Sequence, residues 1–212
     1  MIDGIIFDLD GTLWDSTDEV AKAFNKVLKD KHPEVKEVVT PELLQGLFGL
    51  PLDVIAIKLY QSVSEEQAIK VMQECCDYEV TYLAEHGASL YDDLEKSLKK
   101  LSEFCRLFIV SNCQEGYIQC FFEAYPHLRQ YFTDFEYPGR SGLLKADNIR
   151  LIMERNDLKN PVYVGDTQGD ANAAGEAGIP FLFARYGFGD VVKYDAAVDS
   201  LPELANLILR KH

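Results

Sequence analysis

Positive charge is scarce in this chain: 21 Lys and Arg stand against 35 Asp and Glu over 212 residues, a formal net charge of -14. Nucleic acids and anionic membrane surfaces are held by basic patches that displace counterions, so both classes of partner are disfavoured. Cysteine is limited to Cys75, Cys76, Cys105, Cys113 and Cys120, an odd set with no CxxC spacing. That argues against a disulfide framework and a zinc cluster, and reduced thiols in a cytoplasm are expected. Met1-Ile2-Asp3-Gly4 opens the sequence without a basic leader, and no apolar run approaches the length of a bilayer span. Neither a signal peptide nor a membrane helix is expected. Histidines are few and scattered (His32, His86, His127, His212), none has a ligand-like neighbour in sequence, and surface positions are expected for them. Internal repeats and low-complexity tracts are absent.

Apolar residues make up 47% of the chain, enough to bury a core without staples. Four short runs rich in β-branched or aromatic residues, Ile5 to Phe7, Leu107 to Val110, Val162 to Val164 and Ile179 to Phe183, read as buried parallel strands. Helical spacing marks Gln114 to Ala124, Ala146 to Arg155 and Asp170 to Ala177 between and after them. This alternation predicts an α/β fold, a doubly wound, mainly parallel Rossmann-like sheet. The interval from Ser16 to Ser89 differs. Its apolar residues (Val20, Phe24, Val27, Leu28, then Ile69, Val71, Met72, Val80, Leu83) follow helical spacing without a strand-like break. An all-helical insert after the first strand is expected, interrupted at Pro41, Gly46, Gly49 and Pro51, with Gly87 ending its last helix. The expected division is a core of residues 1–15 and 90–212 and a helical domain of residues 16–89. Cys75 and Cys76, on a helical run of the insert, read as core.

The chemistry concentrates at strand ends. Ile5-Ile6-Phe7-Asp8-Leu9-Asp10-Gly11-Thr12-Leu13 runs an apolar strand into two acids and a glycine. In an open α/β sheet ligands bind beyond the carboxyl ends of strands, and a period of two places Asp8 and Asp10 on one side. Paired acids so placed hold a hard cation or divide the work of nucleophile and acid/base, and a simple Asp-Gly turn is the other reading. A calcium loop is excluded, because its sixth position requires glycine and Leu13 occupies it. Gly165-Asp166-Thr167-Gln168-Gly169-Asp170 repeats the pattern after another strand. Asp166 reads as a metal ligand; Asp170 orients the metal surroundings or favours the helix that follows. If the two strands are neighbours, Asp8, Asp10 and Asp166 converge on an oxygen-lined site suited to Mg²⁺. Ser111 and Asn112, at the end of a third strand, offer a hydroxyl and an amide to a phosphoryl oxygen, and Lys145, just before a helix, is the candidate fixed cation.

These four elements, DxDGT at Asp8 to Thr12, a strand-end Ser111, Lys145 and the acidic Gly165 to Asp170 motif, occur in the order found in haloacid-dehalogenase-type phosphatases, and the chain resembles that family over nearly its whole length. The resemblance implies that Asp8 attacks phosphorus and becomes a transient aspartyl-phosphate, and that Asp10 protonates the leaving oxygen and later deprotonates water. It implies that Thr12, Ser111, Asn112 and Lys145 bind substrate, and that Mg²⁺ is bound by the Asp8 carboxylate, the Asp10 carbonyl and Asp166, with Asp170 behind them. The insert matches the family's helical cap. Leu47-Phe48-Gly49-Leu50-Pro51, Asp10 to Ser16, Gly178-Ile179-Pro180 and Tyr186 to Gly189 resemble the phosphoglycolate-phosphatase-like branch, which implies a small phosphorylated metabolite as substrate and a monomer or weak homodimer. Two positions depart from the usual pattern. Trp14 replaces a smaller apolar residue and is expected to reshape the cap entrance, and Ala146-Asp147 follows Lys145 where proline is common.

Asp10 counts against dehalogenase and phosphonatase chemistry, which lack an acid two residues after the nucleophile. A sugar phosphomutase of the β-phosphoglucomutase type is the enzymatic alternative, but such enzymes usually carry Val at the position of Thr12 and His at that of Val20. A non-catalytic phosphate-binding or regulatory module would need a damaged motif, and all four are intact.

Overall fold

Period-two alternation in the first strand, β1 (Gly4–Phe7), sends Ile5 and Phe7 into one apolar cluster and Ile6 into another, and all three are fully buried. A strand buried on both faces belongs in the middle of a parallel sheet. The computed structural model, which describes residues 1–210, places it there. After β1 the chain forms β2 (Trp14–Asp15), helices α1 (Thr17–Lys31), α2 (Pro41–Gln45), α3 (Leu52–Leu59) and α4 (Glu65–His86), then β3 (Ser89–Leu90). It continues through α5 (Leu94–Ser102), β4 (Arg106–Val110), α6 (Tyr117–Ala124), β5 (Phe132–Glu136), α7 (Pro138–Ser141) and α8 (Lys145–Arg155). The last elements are β6 (Pro161–Gly165), α9 (Gln168–Ala177), β7 (Phe181–Ala184), β8 (Ala196–Val198) and α10 (Leu201–Leu209).

The main sheet has the order β5-β4-β1-β6-β7-β8, with every neighbour parallel. From β1 the chain builds outward through β4 and β5, then returns to the other side of β1 with β6. That reversal leaves a crevice at the carboxyl ends of β1, β4 and β6. Helices α8 and α9 cover one face, over Ile6, Phe108, Val110, Tyr163, Phe181 and Phe183, while α5, α6 and α10 cover the other. All four strands read from the sequence are present. The last begins at Phe181, although Pro180 already accepts a hydrogen bond from Tyr163 through its carbonyl. Two edge strands had no comparable signal. β5 (FTDFE) mixes exposed polar residues with its aromatics, and β8 has only three residues.

The helices α1 to α4 leave and rejoin the sheet through an antiparallel ribbon in which Trp14 pairs with Leu90 and Asp15 with Ser89. Two-residue strands give no periodicity, so this ribbon was invisible in the sequence. Gly87 follows the last residue of α4, and its N–H donates to the Leu83 carbonyl. The apolar cluster under α5, α6 and α10 continues unbroken through Leu9, Leu13 and Trp14 into Val20, Phe24, Ile55, Val71 and Cys75. All five cysteines are buried and free. Among the described residues no helix is long and apolar enough to cross a membrane.

Two expectations are corrected. Trp14 does not shape an entrance: it is fully buried, edge-on to Tyr117 (5.8 Å) and Phe121 (5.0 Å) of α6. His32 is not a surface residue. It ends α1 against α4, is 6% exposed, and lies between Glu34 (3.2 Å) and Glu74 (3.3 Å). His86 and His127 are exposed, and His212 lies outside the described residues.

Trp14 ties the ribbon to α6, so Trp14→Ala is expected to cost about 3–5 kcal/mol through the cavity it leaves. Urea unfolding followed by circular dichroism checks this; a loss below about 1 kcal/mol would contradict the placement of the indole in the core.

Candidate active site

Asp8 follows directly on β1 and its N–H donates to the Val164 carbonyl of β6 (2.8 Å), which extends the parallel ladder by one bond past the last strand residue. The side chain is 3% exposed and meets Lys145, whose Nζ lies 2.8 Å from Asp8 Oδ1 and 2.5 Å from Asp170 Oδ1. Lys145 is the first residue of α8, and its buried stem brings the ammonium over the Tyr163 ring at 5.6 Å. Burial disfavours that ammonium, but Asp170 and Asp8 hold its pKa well above the ordinary lysine value. Burial raises the Asp8 pKa, against the attraction of Lys145 and with the charge of Asp170 adding to the rise.

Asp170 is fully engaged. Oδ1 holds Lys145, while Oδ2 accepts the Thr167 hydroxyl (2.7 Å) and the backbone N–H groups of Asp166 (3.2 Å) and Thr167 (2.9 Å). With Thr167 it forms a reciprocal capping box at the start of α9. Asp166, at the end of β6, accepts the Phe188 N–H on Oδ2 (2.8 Å) and the Thr12 hydroxyl on Oδ1 (3.4 Å). Two glycines permit this approach. Gly11 has φ +77, and a Cβ there or at Gly187 would run into the Asp166 side chain.

Asp10 is held differently. Its Oδ1 accepts the hydroxyls of Ser16 (2.5 Å) and Tyr117 (2.9 Å). Ser16 occupies the cap position of α1 without capping it; Asp15 does so instead, accepting the Thr17 N–H (2.9 Å) and hydroxyl (2.6 Å). This frees Ser16 for Asp10. Burial pushes the Asp10 carboxyl up to about 7, with Ser16 opposing the shift, Asp8 adding to it and Tyr117 opposing it. The indole nitrogen of Trp14 closes no hydrogen bond of normal geometry, yet it too favours the ionised form of Asp10.

Asp8, Asp166 and Asp170 each present a carboxylate oxygen within 4.8 Å of the others, and all three are buried. Desolvation, then Asp170 and Asp8, raise the Asp166 pKa well above the ordinary value. One ammonium for three buried carboxylates leaves an excess of negative charge, and the donors are all oxygen. That is the environment of a hard divalent cation, and the residues present fit Mg²⁺. Asp170 has Lys145 on one oxygen and three donors on the other, whereas each Asp166 oxygen accepts a single donor, so Asp8 and Asp166 keep more lone pairs to face an ion.

Residues 5–184 match the profile of the haloacid dehalogenase-like hydrolases. The chain belongs to that family. Among curated proteins, this hydrolase is similar to phosphoglycolate phosphatases of Rhodobacter capsulatus (26% identical; 97% of this chain and 92% of the relative covered) and Vibrio parahaemolyticus (25%; 96% and 95%). Among solved structures it resembles a predicted phosphatase from Clostridium acetobutylicum, with a TM-score of 0.81 at 25% identity and 99% of each chain covered. A predicted phosphoglycolate phosphatase from Haemophilus somnus has the same fold, with a TM-score of 0.81 at 23% identity over 98% of each chain.

Around the acids of this hydrolase lies a small cavity of ≈ 40 Å³, lined by Asp8, Asp10, Ser111, Asn112, Gln114 and Tyr117 from below and by Glu79 and apolar residues of α1, α3 and α4 from above. Ser111, 4% exposed, lies beside Asp8 and favours its ionised form. Asn112 donates through Nδ2 to the Gly49 carbonyl (3.1 Å), which joins the sheet to the loop before α3. Thr12 is fully buried, with its hydroxyl on Asp166 and its carbonyl accepting the Tyr186 hydroxyl (2.9 Å). Ser16, Tyr117, Gln114 and Glu79 were not singled out from the sequence. Each is a common residue on a helix, at its cap or in the loop after β4, and only the fold brings them to the cavity that holds Asp10.

Asp10 has a pKa of about 7 in the fold against an ordinary 3.8, so between those values the native state holds more protons than the unfolded chain. Its stabilisation is fully present below 3.8 and lost as pH rises through about 7. In chelator, Asp10→Asn is therefore expected to melt above the wild type at about pH 8, with the gap shrinking towards about pH 5. A gap that widens on acidification would count against burial as the cause of the shift.

Proposed function

We propose that this hydrolase cleaves small phosphomonoesters through an aspartyl-phosphate on Asp8, with Asp10 as acid and then base and Mg²⁺ as cofactor. The observation that carries this reading is the contrast between the two acids of one motif. Asp8 is paired with a fixed ammonium at 2.8 Å, whereas Asp10 has no cation and is brought by burial to about 7. A group that must give a proton in one step and take one in the next works best with a pKa near the operating pH.

The Asp8 carboxylate would attack phosphorus while Lys145 and the Ser111 hydroxyl hold the equatorial oxygens, offsetting the repulsion between two anions. With Asp10 Oδ1 accepting from Ser16 and Tyr117, the transferable proton resides on Oδ2, from which it passes to the leaving oxygen. The same oxygen then takes a proton from the water that opens the acyl phosphate. The Asp8 and Asp166 carboxylates with the Asp10 carbonyl would hold Mg²⁺, which supplies further positive charge for the phosphoryl oxygens. Asp170 would keep Lys145 in place, and Thr12 would orient Asp166. The helices α1 to α4, with Asn112 joined to Gly49, would keep bulk water from the intermediate. The relatives named phosphoglycolate phosphatases make phosphoglycolate the reference substrate.

Hydrolysis of p-nitrophenyl phosphate is expected to require Mg²⁺ and to fall by about a thousandfold or more in Asp8→Asn. Activity persisting in that variant would overturn the covalent route. Asp10→Asn is expected to lower kcat strongly while inorganic phosphate inhibits variant and wild type alike; equal losses in turnover and phosphate affinity would overturn the acid/base role.

A further inference from the structure

Glu79 is an acid that this chemistry leaves without a task. It lies on α4, 3% exposed, and lines the cavity that also holds Asp8 and Asp10. Its Oε2 accepts the Gln114 amide (2.5 Å), and its other oxygen has no hydrogen-bonding partner among the described residues. Burial raises its pKa well above the ordinary value, the charge of Asp10 adds to the rise and Gln114 opposes it. That oxygen is free to take a donor from a ligand in the cavity that Glu79 lines.

The rest of the lining repeats the same polarity. Among the described residues no lysine or arginine lines this cavity, whose remaining upper wall is apolar, including Phe48, Leu52, Ile55 and Met72. The adjoining groove of ≈ 680 Å³ carries Asp53, Glu115 and Glu176, and its one cation, Lys145, is already shared between Asp8 and Asp170. The side-chain donors nearby are likewise engaged: Asn112 by Gly49, Gln114 by Glu79 and Tyr117 by Asp10.

Resting on the phosphatase reading above, we infer that the leaving group of the true substrate carries no negative charge and offers a hydroxyl or ammonium donor to Glu79. A carboxylate or a second phosphate there would lie beside Glu79 and Asp10 without a countercharge from the described residues that line the cavity. A protonated Glu79 does not remove the penalty, since one donated hydrogen bond leaves the anion unneutralised. A hydroxyl or ammonium pairs the free oxygen instead. The covering helices therefore select against the reference substrate, phosphoglycolate, whose leaving group, glycolate, carries a carboxylate.

Phosphoglycolate, hydroxyethyl phosphate and aminoethyl phosphate share a two-carbon leaving group that ends in a carboxylate, a neutral hydroxyl and an ammonium respectively. With Mg²⁺ and p-nitrophenyl phosphate as reporter, the hydroxyethyl and aminoethyl esters are expected to exceed phosphoglycolate in kcat/KM by about tenfold or more. Glu79→Gln, which keeps an acceptor for Gln114, is expected to narrow that ratio at least about threefold. Phosphoglycolate turning over as fast as the others, while the reporter is hydrolysed, would overturn the inference and leave the phosphatase reading standing. A uniform effect of Glu79→Gln on all three esters would overturn the role of Glu79. Hydrolysis of none of the four would sink the phosphatase reading and the inference with it. The wild-type ranking decides the charge question even where the variant fails to fold.

Discussion

A single ammonium held among buried carboxylates is the constraint on which the site depends. Lys145 reaches both Asp8 and Asp170 with about a twentieth of its side chain exposed. Removing one member of such a network strands the charge of the others, a loss of about 3–5 kcal/mol in comparable buried pairs. The fold meets the requirement by fixing all three from different elements. Asp8 is locked onto β6 by its own backbone, Asp170 closes the cap of α9, and Lys145 starts α8. The sheet order makes this possible, since the reversal at β1 places the ends of β4 and β6 on either side of Asp8.

Asp10 belongs to a second network, built across the junction with the helices. Ser16 stands at the head of α1, Tyr117 at the head of α6, and Trp14 in the ribbon packs on that same tyrosine. The hydroxyls that set the basicity of Asp10 are therefore held by the packing that joins helices to sheet. A disturbance at Trp14 reaches Asp10 through Tyr117 without touching Asp8. Asp8 and Asp10 sit two residues apart in the chain, yet different neighbours hold their side chains, Lys145 in one case and Ser16 with Tyr117 in the other.

The legible part of this molecule was whatever its local chemistry forces. Continuous apolar runs such as Leu107 to Val110 have no alternative to a buried strand, and an acid closing such a run, as at Asp8 and Asp166, has no packing rationale. Asp8, Lys145, Asp166 and Asp170 could be proposed from sequence for that reason, and the resemblance supplied their order. The ribbon β2–β3 and the edge strand β5 could not, because two residues carry no period and Thr133, Asp134 and Glu136 dilute the signal of an edge. Tyr117 and Glu79 were out of reach for another reason. Their hydrogen-bond partners lie 107 and 35 positions away, and nothing local marks a tyrosine that begins a helix or a glutamate on a long polar one.

The two halves of the cavity wall differ in how firmly their polar groups are committed. Below, each of Asp8, Asp10, Asp166 and Asp170 is held by donors or a cation within the sheet's own loops and the junction, so its geometry is preset before any ligand arrives. Above, Glu79 holds one partner and the remaining surface is apolar. Exchanging an apolar residue there, or Glu79 itself, alters what fits without unpairing any of the four aspartates. Exchanging a residue below strands a buried charge. Under the function proposed above, phosphoryl chemistry would be carried by the lower wall and substrate choice by the helices that cover it, so the cover can change without endangering the charge balance beneath it.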